Sequence, residues 1–227
     1  MGKRRTRPLR RRAPRTEPRL RLLVLCEGKV TEPRYFQAFR HEHRNQLVHI
    51  EVMPACGVPK TLVEHAAERK KQALREAKRY GDSFLKYDEV WCVFDVDVHP
   101  NLEEAKNQAR DNGLRVAISN PCFELWVLLH FQDQRAHQGR AHMQAACRDH
   151  LPEFDKEVPY DRIQPRYAEA VARAIELEKW QEEQGRPGGN PSTDVYKLTG
   201  RIVGLGREAF LRQQQTLGRT HRSDLRP

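Results

Sequence analysis

"LLVLCEGKVTEP", residues 22–33, decides the fold. Its apolar start has the length and composition of a buried strand. A carboxylate, a glycine and a lysine follow, and Thr-Glu-Pro then suits the start of a helix. The loop between them either cradles phosphate or belongs to a strand that delivers an acid, Glu27, to the edge of a sheet. A Walker-type cradle needs a glycine five residues before Gly28. That position is Leu23, inside the apolar run. No flexible row of backbone N–H groups can form there, so the strand-end acid is the surviving reading.

Working outward, "TEPRYFQAFRHEHR" reads as a helix capped by Thr31, with Glu32 and Pro33 in its first turn. Tyr35, Phe36 and Phe39 form its apolar stripe. "LVHIEVMP" (47–54) is a second strand. "KTLVEHAAERKKQALREAKRYG" (60–81) is a long amphipathic helix that turns Leu62, Val63, Ala66, Ala67, Ala73, Leu74 and Ala77 inward and ends at Gly81. "EVWCVFDVD" (89–97) is a third strand, "LEEAKNQARDNG" (102–113) a helix and "LRVAIS" (114–119) a fourth strand. "CFELWVLLHF" (122–131) is a helix apolar on nearly every side, hence buried. Strands alternating with helices predict an α/β fold: a four-stranded parallel sheet flanked by helices.

The remainder reads as a helical C-terminal extension. One helix covers 166–184, "GRPGG" (185–189) breaks it, and another starts at Asn190. "SNPCFE" and "GNPSTD" echo each other, each setting Asn-Pro at a predicted helix start. The expected organisation is a disordered basic arm (1–18), an α/β core (19–131), a helical extension packing on it (132–213) and a basic tail (214–227).

The bulk composition narrows the function. Of 227 residues, 32% are charged and 38% hydrophobic, and no apolar run approaches the roughly 20 residues that span a bilayer. The basic N-terminus has neither an apolar h-region nor an apolar helical face, so no secretory or mitochondrial leader is expected. The five cysteines, at 26, 56, 92, 122 and 147, include no Cys-x-x-Cys pair, so a zinc framework is not expected. Cys26 and Cys92 read as core residues, and this usage fits a reducing cytoplasm. The net charge of +10 is concentrated at the ends: residues 1–20 hold nine Lys/Arg and one Glu, and the last 27 hold six Arg against one Glu and one Asp. Such ends are either solvated tails or mobile arms that attract phosphate polyanions.

In a parallel sheet, ligands bind beyond the C-terminal strand ends. The first strand ends in Glu27 and the third in Asp95-Val96-Asp97, so these acids should converge if the two strands are neighbours. Residues i and i+2 of a strand share a face, with Cα atoms about 6.5–7 Å apart. Two carboxylates so placed repel each other, and a divalent cation turns that repulsion into a gain; Mg²⁺ or Mn²⁺ suits such oxygen ligands. The opposing reading is that Asp95 and Asp97 cap a loop while Glu27 pairs with Lys29 or an arginine. Glu124, on the buried helix, must meet a cation, a metal or a hydrogen-bond donor. His130 closes the same helix as either a satisfied core histidine or a substrate contact. His99 continues the 95, 97 alternation towards the site. Lys29 is a candidate phosphate contact, and Asn120 follows the fourth strand.

Four segments together, "CEGKVTEPRYF" (26–36), "WCVFDVD" (91–97), "AISNPCFELWVLLHF" (117–131) and "NPSTDVYKL" (190–198), resemble the RloB-like family, a branch of the Toprim-type folds. The resemblance spans most of residues 20–200 and leaves the basic termini outside. It implies a Toprim-like Rossmannoid sheet, a catalytic glutamate at Glu27 and a metal-binding pair at Asp95 and Asp97. It also implies a Mg²⁺-dependent nuclease of prokaryotic restriction or phage-defence systems, often encoded beside an ATPase. Asn120, Glu124 and His130 belong to the narrower family pattern. This sequence has no P-loop of its own, so any ATPase would be a separate subunit. Two other functions compete: a noncatalytic subunit that binds nucleic acid or the ATPase, and a D-x-D transferase, for which no nucleoside-sugar pocket is legible.

Overall fold

The computed structural model describes residues 20–52, 58–96, 102–155 and 157–203. The basic arm, the tail, Asp97 and His99 lie outside them. The core is a mixed α/β layer structure around one five-stranded sheet of order β2-β1-β3-β4-β5. Strands β1 (Leu22–Cys26), β2 (Val48–Val52), β3 (Glu89–Asp95) and β4 (Arg115–Asn120) run parallel. β5 (Ser192–Thr193) joins β4 antiparallel.

Every residue of β1 and of β3 is buried, because helices cover both faces of the sheet. The two-residue period of a strand sorts their side chains into two cores. Leu23, Leu25, Val90, Cys92 and Phe94 pack against α2 (Pro59–Tyr80) and α3 (Leu102–Asp111). Leu22, Val24, Cys26, Trp91 and Val93 face the other layer. That layer holds α1 (Thr31–Glu42), α4 (Glu124–Leu128), α5 (Arg140–His150), α6 (Tyr160–Ile163), α7 (Tyr167–Glu183) and α8 (Val195–Val203). The C-terminal helices thus share one continuous core with β1 and β3. Among the described residues no helix is long and apolar enough to cross a membrane.

Several sequence expectations are corrected. The sheet has five strands, not four, and the segment expected to begin a helix at Asn190 first forms β5. Ser119 and Thr193 join their hydroxyls across that pair at 2.9 Å. Both Asn-Pro bonds, Asn120-Pro121 and Asn190-Pro191, are cis, and the β4–β5 register brings the two motifs side by side. The cap position of α1 is Val30, with no side-chain cap bond, and Thr31 is the first helical residue. The buried segment 122–131 contains only five α-helical residues and continues in tight turns. On α2, Leu74 is exposed while the rest of the predicted stripe is buried.

Two polar devices frame the sheet. At the start of β3, the buried Glu89 accepts hydrogen bonds from Trp91 Nε1 at 3.0 Å and Arg201 Nη2 of α8 at 2.6 Å, and Arg115 Nη2 lies 3.2 Å away. At the β2 edge, Arg40 Nη1 donates to the Val48 carbonyl at 2.6 Å.

Candidate active site

The parallel strands all end on one edge, and a cavity of about 220 Å³ opens there. Asp95, the last residue of β3, is in phase with Trp91 and Val93 and so belongs to the layer of α1, α4 and α5. Asp95, Glu32 of α1 and Glu124 of α4 line the cavity with Gly28, Lys29, Arg140 and Gln144. Glu27 follows Cys26 one step out of phase and does not line it. Its N–H still pairs with Val93 O at 3.0 Å, which extends the β1–β3 ladder by one residue.

Each cavity acid is held differently. Asp95 is 8% exposed and takes a charged hydrogen bond from Arg140 Nη2 on Oδ2 at 2.8 Å. Glu124 is 6% exposed, and Gln144 Nε2 donates to its Oε1 at 3.0 Å, so the donor it needed is a neutral amide. Glu32, also 6% exposed, receives no side-chain hydrogen bond among the described residues. Burial pushes its carboxyl upward; the charges of Glu124 and Glu27 add to this, while its own backbone N–H and Arg140 oppose it. A proton on Glu32 is therefore retained to higher pH than on an exposed glutamate.

Gly28 has a structural reason of its own. Its φ is not positive, so the glycine is needed here for space and not for a left-handed turn. A Cβ there would collide with the Glu32 carboxylate, coming within 2.5 Å of its Cδ. The missing side chain lets the loop after β1 close over Glu32.

The other sequence candidates fall elsewhere. Lys29 is exposed at the cavity rim. Asn120 donates from Nδ2 to Gly188 O at 3.0 Å and so holds the loop before β5. His130 is buried beside Trp126, its Nδ1–H donating to Trp126 O at 2.9 Å, and it does not line the cavity. Burial drives its pKa down to about 4, against the bonds to the Trp126 and Val127 backbones, so the ring is neutral at physiological pH. The Cys122 thiol is pushed up by burial, then by Glu124 and Asp95, and remains protonated.

Glu32, Arg140 and Gln144 were not singled out from sequence. The usable signal was helical phase. Glu32 precedes Tyr35 and Phe36 by three and four residues, so it shares their buried face. Arg140 stands three residues before Met143 and seven before Cys147, on the inward stripe of α5.

Among the described residues no three His, Cys, Asp or Glu are grouped closely enough to hold a metal ion as they stand. The donor type nevertheless fits a hard divalent cation: carboxylates around one cavity, two of them, Glu32 and Glu124, buried without a cationic hydrogen-bond partner among the described residues. Mg²⁺ commonly uses only one or two carboxylates, with water and substrate oxygens completing its shell.

No curated protein and no solved structure matches the chain. The family model described as RloB-like protein matches residues 22–202, from the first residue of β1 almost to the end of α8. That range takes in the whole sheet, both helical layers and every residue lining the cavity, and on it the chain belongs to the RloB-like family.

Proposed function

We propose that this chain is a Mg²⁺- or Mn²⁺-dependent nuclease with a Toprim-like core, cleaving nucleic-acid phosphodiesters as the effector of a prokaryotic anti-phage system. The observation that carries the reading is the cavity at the C-terminal strand edge, which Asp95, Glu124 and the buried Glu32 all line. Keeping such a carboxylate buried costs stability, and a function requiring oxygen donors explains its retention. The family resemblance adds Glu27 and Asp97.

Asp95, Glu32 and Glu124 are the cavity residues that would hold the cation. When bound, it supplies Lewis-acid stabilisation of the charge developing on a phosphodiester. The chain's own groups do the rest. Burial holds the Glu32 carboxyl above the ordinary carboxylate range, which favours a proton-exchange role for it. Lys29 at the rim meets a neighbouring phosphate. A cavity of about 220 Å³ accepts a phosphate-sized group and is smaller than typical small-molecule pockets of about 300–1,000 Å³. A polymer backbone laid across the opening fits that size better than a nucleotide-sugar, which disfavours the D-x-D transferase.

The test is a cleavage panel with Mg²⁺ or Mn²⁺ on single- and double-stranded DNA, tRNA and rRNA, with and without a partner ATPase. Cleavage abolished by Glu27→Gln and by Asp95→Asn is the expected result. Activity surviving both substitutions, or none on any substrate, overturns the reading. One observation favours a noncatalytic subunit binding nucleic acid or an ATPase in the cytoplasm: Asp95 is already paired with Arg140. That alternative predicts binding without cleavage.

A further inference from the structure

Arg140 lines the acid cavity and bonds one of its carboxylates, Nη2 to Asp95 Oδ2 at 2.8 Å. It occupies the first helical position of α5, its side chain is 42% exposed, and Gln144, one turn on, lines the same wall. The first N–H groups of an eleven-residue helix therefore lie close by, where an anion is favoured. Formal charges on the lining are three negative (Glu32, Asp95, Glu124) and two positive (Lys29, Arg140), a net of minus one that repels a phosphodiester. A divalent cation makes the net plus one, and a bound phosphodiester then brings it to zero. Without Arg140 the loaded cavity is only neutral, and the substrate again leaves it negative. The guanidinium cannot both cover Asp95 and leave that carboxylate free for a metal.

We infer that Arg140 is the phosphate-binding residue of this cavity, covering Asp95 until a divalent cation displaces it and then turning to the substrate phosphodiester. Its planar fork suits two phosphate oxygens, which a lysine ammonium meets only as a point charge. The same residue thus competes with the metal and cooperates with the substrate. The buried Glu32 is the second sign that the cavity takes a ligand, since among the described residues its carboxylate is bonded by its own backbone N–H and by no side chain. This inference rests on the nuclease reading and assigns its substrate contact.

The test measures binding, not turnover. Mn²⁺ is titrated calorimetrically into wild type, Arg140→Gln and Arg140→Lys, and binding of labelled single-stranded DNA and RNA oligonucleotides is measured in Ca²⁺. Arg140→Gln is expected to bind Mn²⁺ at least threefold tighter without nucleic acid, yet bind oligonucleotide at least tenfold weaker in the presence of cation. Arg140→Lys should recover part of the oligonucleotide affinity. Opposite changes in the two affinities distinguish this role from simple anchoring of α5, which would weaken both and lower the melting temperature. Unchanged or weaker Mn²⁺ binding, or unchanged oligonucleotide binding, overturns the inference. If Arg140→Gln does not fold, Arg140→Lys decides: oligonucleotide affinity equal to wild type overturns it. A wild type that binds both ligands while the variant equals it removes this inference alone; a wild type that binds neither removes the nuclease reading as well.

Discussion

A carboxylate with 6% of its surface exposed gives up hydration, and Glu32 receives no side-chain hydrogen bond in return among the described residues. The fold tolerates it because Gly28 leaves room for its oxygens and Arg140 offers a nearby positive charge. Glu32→Gln should remove the charge with little change in shape. Without divalent cation it is expected to stabilise the protein by about 1 kcal/mol, raising the melting temperature by about 2–4 °C. It should also abolish any further rise on adding Mn²⁺. Thermal melts with and without Mn²⁺ check both halves; a destabilised variant that still responds to Mn²⁺ would show that Glu32 serves only packing.

At the scale of elements, Glu89 ties β3 to β4 and α8. Burial alone would raise its pKa, but hydrogen bonds from Arg201 and Trp91 and the charges of Arg115 and Arg201 lower it overall. Its folded pKa therefore lies below the unfolded value of about 4.3. The stabilisation is complete above that unfolded value and is lost as pH falls through the folded one. Glu89→Gln should cost about 1–3 kcal/mol at pH 7 and flatten the loss of stability between pH 5 and pH 3, as read by denaturant titration at each pH. The loss would be felt first at α8, which Arg201 anchors. The elements legible from sequence were those with an apolar run or stripe of their own: β1 to β4, α1, α2 with its Gly81 cap, α3 and α7. β5 was not legible, since two residues carry no pattern and form a strand only because β4 offers an edge. The position of Arg140 was equally hidden, because placing α5 over the end of β3 is a long-range packing outcome.

For the molecule as a whole, the first eighteen residues carry eight Lys/Arg and one Glu, outside the described residues. If they act as an electrostatic arm, deleting residues 1–18 should weaken nucleic-acid binding and flatten its salt dependence. The slope of log affinity against log salt should change by up to about 5, from about 0.7 per phosphate neutralised on a single strand. Mn²⁺ binding at the cavity should be unchanged. Fluorescence anisotropy across a salt series measures this, and an identical slope would exclude the role. The strand-end acids were legible because a carboxylate closing an apolar run is conspicuous. The cavity behind them was less so, because it needs the loop after β1, α4 and α5 assembled together.

The Arg40 contact with Val48 bears on what the open edges of the sheet can do. Parallel sheets leave unpaired backbone groups along their outer strands, and these can recruit a foreign strand. Here one border is the outer strand β2, where a guanidinium occupies a carbonyl, and the other is two residues long. Gln181 Nε2 of α7 binds the Pro191 carbonyl just before that short strand. Among the described residues each border is thus short or partly covered, which discourages self-association by β-augmentation there.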